Sequence, residues 1–347
     1  MKKNRKNRLT FLLFLIIILL ITATTVFILR AVFSANVRIK GNSSAILLIP
    51  TGAGFETVKD SLYAHGYIIH PRTFEWTAAR KGYVGHVQPG RYRIHHQMSN
   101  HELLNLLRSG RQEPVDLMFE SLRTPAELAG TVSRQIEADS VSLFRAMNDS
   151  VLLRAYGVTP LTLFTITIPN TYEFRWNTSA KGFLSRMAGE SKKFWQKRKK
   201  SADSIGLSPA QVVTLASIVE KETAKNSEKP VIAGVYMNRL RRGIALQADP
   251  TLIFAWNDYT IHRVLNRHKE IVSPYNTYLN TGLPPGPICL PSIASIDAVL
   301  HYQHHQYLFF CARPDFSGYH DFAETLAAHQ RNAAKYQRAL KAANIMK

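Results

Sequence analysis

An N-terminal membrane helix followed by two α+β domains is the architecture this sequence predicts. Three observations carry it. Leu9 to Leu29 is a run of 21 residues without a charge, and about 20 apolar residues span a bilayer as a helix. The rest of the 347-residue chain suffices for about two domains of ordinary size. Short apolar runs alternate there with capped segments of helical period, the mixed pattern of an α+β fold.

The membrane segment comes first. MKKNRKNR precedes the apolar run and only Arg30 follows closely. By the positive-inside rule the N-terminus is cytoplasmic and the remainder lies outside. A cleaved signal peptide has a shorter apolar core and small residues at its cleavage site. Here Phe33-Ser34-Ala35 puts a bulky side chain at the −3 position, so an uncleaved anchor is expected: a basic tail at 1–8 and a transmembrane helix at 9–30.

Residues 36–120 read as a small α+β domain. Ala45 to Ile49 suits a strand. After the turn Thr51–Gly54, Phe55, Val58, Leu62 and Tyr63 recur at helical spacing, and Gly66 ends that helix. Pro71 opens a second helix, and Pro89-Gly90 turns into Tyr92-Arg93-Ile94. Ser99 with Glu102 forms a capping box for a helix that ends near Gly110. Residues 121–205 are mostly helical in pattern. Phe164 to Asn177 is the exception, an extended aromatic stretch interrupted by Pro169. Its Tyr172, Phe174 and Trp176 are either strand residues or a platform for a sugar ring.

The helix that carries the chemistry starts at Ser208-Pro209-Ala210-Gln211, a capping box with proline at the first helical position. Val212, Leu215, Ala216 and Val219 form an apolar stripe, with Glu220 on its edge. Partial desolvation there is expected to raise the Glu220 pKa, as a general acid near neutral pH requires. Glu222 lies about 200° further round the helix, so the two carboxyls do not face each other. A two-carboxylate hydrolase would need a partner from elsewhere, with Asp249 the candidate.

PGRYRI followed by MSNHELLNLLRSG, after the strand–helix–helix order, resembles the LysM-like domain of the YceG-like endolytic transglycosylases. TLASIVEKETAKNSEKPVIAGVYMNRLRRGIALQADPTLIFA resembles the signature of that family. The likeness continues through SPYNTYLNTGLPPGPICLPSIASIDAVL to YLFFCARPDFSGYHDFAETLAAHQ. It implies a LysM-like glycan-binding domain at 36–120 and a transglycosylase domain at 121–347, with the catalytic helix beside a small sheet. The implied reaction cleaves the MurNAc–GlcNAc bond of nascent peptidoglycan strands without water. The MurNAc 6-hydroxyl closes a 1,6-anhydro ring, and strand elongation ends. The resemblance makes Glu220, the first Glu of IVEKET, the acid/base, and links the enzyme to peptidoglycan synthases. An internal hydroxyl at high effective concentration replaces the attacking water, so one carboxyl suffices, without cofactor or metal.

Gln247 and Asp249, in a turn before Pro250, and Asn276, in a Pro/Gly-rich segment, are expected to contact substrate. Two departures from the family pattern are Ala248, where Thr is common, and Asn170, where an acid is common; the latter puts any role for an acid there in doubt.

Other readings remain open beside this one. Ser217 and Lys221 are four apart, the spacing of a Ser/Lys hydrolase pair. His301, His304, His305, Cys311 and His320 cluster in sequence, but without HExxH. Cys289 and Cys311 are either paired or free. A non-enzymatic glycan-binding anchor is the third alternative. The net charge of +20 requires an anionic surface or partner nearby. The basic run Lys192–Lys200 is read as a solvated helix face, or as a contact for anionic lipid or polymer. No nucleic-acid-binding signature accompanies the charge.

Overall fold

The computed structural model describes residues 2–345, with side chains from residue 7 onward. The side chains of residues 2–6 lie outside that description, and so do most charges of the basic tail. The chain divides into two compact units, one running to Asp116 and including Glu173–Thr178, the other comprising Leu117–Tyr172 and Ser179 onward.

In the first unit, α1 (Lys2–Phe33) is one unbroken helix, and its stretch Asn7–Phe33 is long and apolar enough to cross a membrane. Thr22, Thr24 and Thr25 return their hydroxyls to carbonyls four residues back, at 2.7–2.8 Å. Their polarity is thus satisfied within the helix, as an apolar surrounding demands. Then follow β1 (Ser44–Ile49), α2 (Phe55–Ala64), α3 (Pro71–Arg80), β2 (Gly90–His95) and α4 (Asn100–Ser109). β1 and β2 pair antiparallel, with Leu47 opposite Tyr92. The core gathers the inward residues of both strands, such as Leu47, Ile49, Tyr92 and Ile94, with Leu62, Phe74, Leu103 and Leu107 of the helices. The expected punctuation is present. Pro71 opens α3, the Ser99–Glu102 capping box opens α4, and Gly66 and Gly110 take left-handed backbone after their helices.

The second unit is largely helical. β3 (Val115–Phe119) and β4 (Asn170–Phe174) carry the chain between the units. Between them lie α5 (Pro125–Ser133), α6 (Ser140–Met147), α7 (Ser150–Arg154) and a 3₁₀ turn at Pro160–Thr165. The remaining elements are α8 (Ala180–Ile205), α9 (Pro209–Glu222), α10 (Lys229–Arg241), α11 (Asp249–Trp256), a second 3₁₀ turn at Asn266–Glu270, α12 (Ile293–Leu300), β5 (Phe309–Ala312), β6 (His320–Ala323) and α13 (Leu326–Ala342). The aromatic stretch at 164–177 is extended only over β4. Tyr172 stacks on Phe119 and donates its hydroxyl to the Ile168 carbonyl at 2.8 Å, and Phe174 is buried. These two rings are packing residues, not a sugar platform.

α9 differs from expectation in its surroundings. Every residue from Val212 to Val219 is buried, so the helix has no solvated face over that length. It packs against α8, α10, α11 and α12 rather than beside a sheet. The two polar residues inside it bond internally: Thr214 Oγ1 to the Ala210 carbonyl at 2.8 Å, and Ser217 Oγ to the Thr214 carbonyl at 2.7 Å. A helix apolar all round is a core helix, and small hydroxyl residues that bond back to their own turn fit there. Outside that length α9 reaches solvent in its first turn and in its last, which carries Glu220 and Glu222.

Candidate active site

The last turn of α9 points two carboxyl groups into different surroundings. Glu220 faces the start of α10 and the N-terminus of α12. Its Oε2 accepts from Lys229 Nζ at 3.1 Å, Ser292 N at 3.3 Å, Ser292 Oγ at 2.6 Å and Ser295 Oγ. Ser292 is the N-cap of α12, so the carboxylate sits where the helix dipole favours negative charge. The Lys229 side chain is 5% exposed and that of Glu220 15%. Burial pushes the Glu220 carboxyl up, but the two serine hydroxyls and the Lys229 ammonium outweigh it. The net shift is downward from the ordinary carboxylate value. This reverses the expectation of a raised pKa. The apolar stripe on its own helix is real, but three donors from distant segments decide the sign.

Glu222 is the carboxyl in the environment expected of Glu220. It lines a cleft of ≈ 300 Å³ together with Tyr236, Arg239, Gln247, Asp249 and Tyr278. Burial raises its pKa to about 7, the nearby Asp249 charge adds to the rise, and the Tyr236 hydroxyl and Arg239 oppose it. Tyr236, buried in α10, donates to Glu222 Oε1 at 2.5 Å. Tyr278 donates to Asp249 Oδ1 at 2.5 Å. Glu222 also borders the pocket that holds Glu220, Asn226, Lys229 and Ser292.

Of the expected substrate contacts, Gln247 and Asp249 are exposed in the Glu222 cleft. Gln247 has φ +53°, a conformation that costs a non-glycine residue about 1–3 kcal/mol and persists only where its surroundings fix it. They do so here. The Gln247 N–H donates to the Thr277 carbonyl at 2.9 Å and the Ala248 N–H to Thr277 Oγ1 at 3.0 Å. Arg239 Nη1 donates to the Leu246 carbonyl at 2.8 Å. Asn276 is different. It is fully buried, and its amide donates to the Lys269 and Ile271 carbonyls, both at 2.8 Å, while its Oδ1 accepts from Tyr278 N at 2.9 Å. It shapes the loop that presents Tyr278 and has no group left for a substrate.

Tyr236, Arg239 and Tyr278 line the same cleft and were not among the residues expected from the sequence. Tyr278 stood in the segment already singled out for Asn276. Tyr236 and Arg239 are three apart on α10, the spacing of one helix face.

The rival sites come apart. Ser217 is fully buried, and its Oγ accepts from Ile288 N at 2.9 Å while donating within its helix, whereas Lys221 is exposed. Of the histidines, His301 bonds its own helix end, and His305 has both ring nitrogens engaged, Nε2 with the Val231 carbonyl and Nδ1 with Tyr307 N. His320 pairs with Glu228 at 2.9 Å. Among the described residues no group of three or more His, Cys, Asp or Glu is placed to hold a metal ion. Cys289 and Cys311 are free thiols, and burial pushes Cys289 up to about 12. In the basic run of α8, Arg198 binds Asp297 through two bonds of 2.7 and 3.0 Å, and Lys193 and Lys199 pair with acids of their own helix.

The model of the YceG-like family matches residues 47–335. An endolytic murein transglycosylase of Bacillus subtilis strain 168 is 27% identical over 307 residues, covering 83% of each chain. One from Streptococcus pneumoniae strain D39 is 25% identical over 319 residues, covering 83% of this chain and 57% of its own. A crystal structure of a YceG-like protein from Listeria monocytogenes is similar in fold, with TM-score 0.55 and 24% identity, over 83% of this chain and 98% of that one.

Proposed function

The chain belongs to the YceG-like family, and from that premise we propose that it is a membrane-anchored endolytic peptidoglycan lytic transglycosylase whose acid/base is Glu222. The observation that carries the assignment of the residue is the contrast between the two carboxyls of α9. Glu222 lies in a cleft with its pKa raised to about 7, so it holds a proton to deliver near neutral pH. Glu220 is kept ionised by Lys229 and two serines, and an ionised carboxylate has no proton to give a leaving group.

In this reading a MurNAc–GlcNAc pair lies across the cleft. Glu222 protonates the glycosidic oxygen as the C1–O bond breaks. The same carboxylate then takes the proton of the MurNAc 6-hydroxyl, whose oxygen bonds to C1 and closes the 1,6-anhydro ring. Tyr236 fixes the orientation of the Glu222 carboxyl. The Asp249 carboxylate supplies negative charge beside the cationic sugar of the transition state, and Gln247 is a hydrogen-bonding partner for the glycan. Asn276 acts only through Tyr278. Glu220 is a structural residue that joins α9, α10 and α12.

Two carboxyls in one cleft also suit a hydrolase with Asp249 as the second group. The ends of the products separate the two readings. Purified glycan strands digested by the full chain should yield 1,6-anhydroMurNAc ends by mass spectrometry; reducing ends would establish hydrolysis instead. Glu222→Gln should lose anhydro product by ~10²–10⁴-fold. Glu220→Gln should retain it at temperatures where the protein is folded, while losing about 3 kcal/mol of stability through the broken buried pair. If Glu220→Gln is inactive but fully stable, the assignment of the two residues is reversed.

The finer features follow the same proposal. The first unit, with its strand–helix–helix–strand order, is read as a LysM-like glycan-binding module. The basic N-terminal tail is read as cytoplasmic, and the second unit together with the part of the first that follows α1 as extracytoplasmic. Cleavage of nascent strands there would end their elongation, in the company of the synthases that make them.

A further inference from the structure

The first unit meets the membrane through more than its anchor. The apolar run of α1 ends at Leu29. Twenty-one residues rise ~31 Å, about the thickness of the hydrocarbon core, so Arg30 marks the boundary on the side of the folded unit. That unit begins at once. Asn100 Nδ2 donates to the Ala31 carbonyl at 2.8 Å, and Asn36, 2% exposed, bonds Asn100 Oδ1 at 2.7 Å. Asn36 also bonds His70 on both sides, donating to its carbonyl at 3.2 Å and accepting from its N–H at 2.7 Å. α1 thus enters the unit through a buried network rather than a flexible linker.

A consequence is the position of α3, which packs against α1. The Trp76 ring lies 6.5 Å from that of Phe27, a residue of the apolar run. Trp76 is therefore held at the edge of the hydrocarbon, the depth at which tryptophan concentrates in membrane proteins. A groove of ≈ 730 Å³ opens there, lined by Phe27, Ile69, Pro71, Arg72 and Trp76 among others. Phe27 is 59% exposed, and Ile69 39%. Arg30, Arg72 and Arg80 are exposed around it, Arg80 over the Trp76 ring at 5.4 Å.

We propose that this face is a lipid-binding surface: the groove beside Trp76 takes an acyl chain of the adjoining bilayer leaflet, and Arg30, Arg72 and Arg80 bind anionic phospholipid headgroups. One wall of the groove is the membrane helix itself, so bilayer lipid is the occupant already present. The apolar floor suits the chain, and three guanidinium groups suit the phosphate. The proposal rests on the bilayer-spanning reading of α1 and not on the catalytic assignment.

The test uses the full chain in phosphatidylcholine vesicles with brominated acyl chains, with and without phosphatidylglycerol. The fluorescence difference between the wild type and Trp76→Phe isolates this one of four tryptophans. That difference should be quenched by brominated lipid, and more strongly with phosphatidylglycerol. The triple variant Arg30→Gln, Arg72→Gln, Arg80→Gln should lose the phosphatidylglycerol-dependent part. Absence of quenching, as when a partner helix or a second copy fills the groove, overturns the proposal, and so does quenching indifferent to phosphatidylglycerol. Carbonate extraction reads the anchor separately. Release of the chain would overturn anchor and face together, and retention with an unquenched Trp76 would overturn the face alone.

Discussion

Glu220 and Glu222 share a helix turn and a chemical type, and differ in their hydrogen-bond partners: Lys229, Ser292 and Ser295 for the one, Tyr236 for the other. For Glu222 the consequence is a pH dependence of both rate and stability. Its carboxyl rises from 4.5 to about 7 on folding, so the folded protein holds a proton that the unfolded chain has released between those values. Stability is then fullest below about 4.5 and falls as pH rises toward 7, on the order of 3 kcal/mol. Glu222→Gln cannot ionise, so its melting temperature should exceed that of the wild type at pH 8 and match it at pH 4. The wild-type cleavage rate should decline above about pH 7, as the proton of the general acid is lost. Equal melting of the two proteins at pH 8 would mean that burial does not disfavour the charged form. Glu220 has the opposite sign. Its lowered carboxyl contributes stability above the ordinary carboxylate range, and that contribution is lost on acidification through its folded value.

Between elements, the site depends on how the segment after α12 seats on α10. Gly234 lies inside α10, where alanine would ordinarily add about 1 kcal/mol through helix propensity. A Cβ there would stand 2.3 Å from the Gln303 carbonyl oxygen and 2.6 Å from His305 Nε2. That strand of chain is fixed to α10 by Gln303 N to the Pro230 carbonyl at 2.9 Å and by Asn238 Nδ2 to the His305 carbonyl at 2.8 Å. It cannot retreat without breaking those bonds. Overpacking of this kind costs about 1–3 kcal/mol, so Gly234→Ala should be destabilising in urea denaturation despite the propensity gain; a higher midpoint would show that the segment yields. Elements like these separate what sequence reveals from what it withholds. The long apolar N-terminal helix and the caps at Ser99 and Ser208 were legible because their causes lie within a few residues: an uncharged run, or a hydroxyl and a carboxyl or amide three apart. The core position of α9 was not, since nothing local says that Thr214 and Ser217 are covered from outside. Nor was the sign of the Glu220 pKa, set jointly by Lys229 and by Ser292 and Ser295, the two serines more than seventy residues away. The Asp249 turn was legible as a polar turn before a proline. The burial of Asn276 beside a cleft-lining Tyr278 was not legible, because exposure inside a short loop depends on which side chain the carbonyls of residues 269 and 271 capture.

At the scale of the whole molecule, the two units have separate cores, and the proposed chemistry is confined to the second. All residues of the Glu222 cleft belong to the second unit, whereas Phe74, fully buried against Phe55 and Tyr63, belongs to the first. Truncating a buried phenylalanine costs about 3–5 kcal/mol, a large share of the stability of a domain this small. If the cores fold independently, calorimetry of the full chain in detergent should resolve two transitions. Phe74→Ala should lower one of them and leave the other in place, while Glu222→Gln at pH 8 should raise only the other. Cleavage of short, soluble glycan should then survive in Phe74→Ala at temperatures where the first unit has melted. Loss of Trp76 quenching by brominated lipid over the same range would tie the lipid-facing surface to that unit's fold. A single transition that both variants move together would instead mean that the units are coupled in stability, and that the catalytic cleft depends on a core from which it draws no residue.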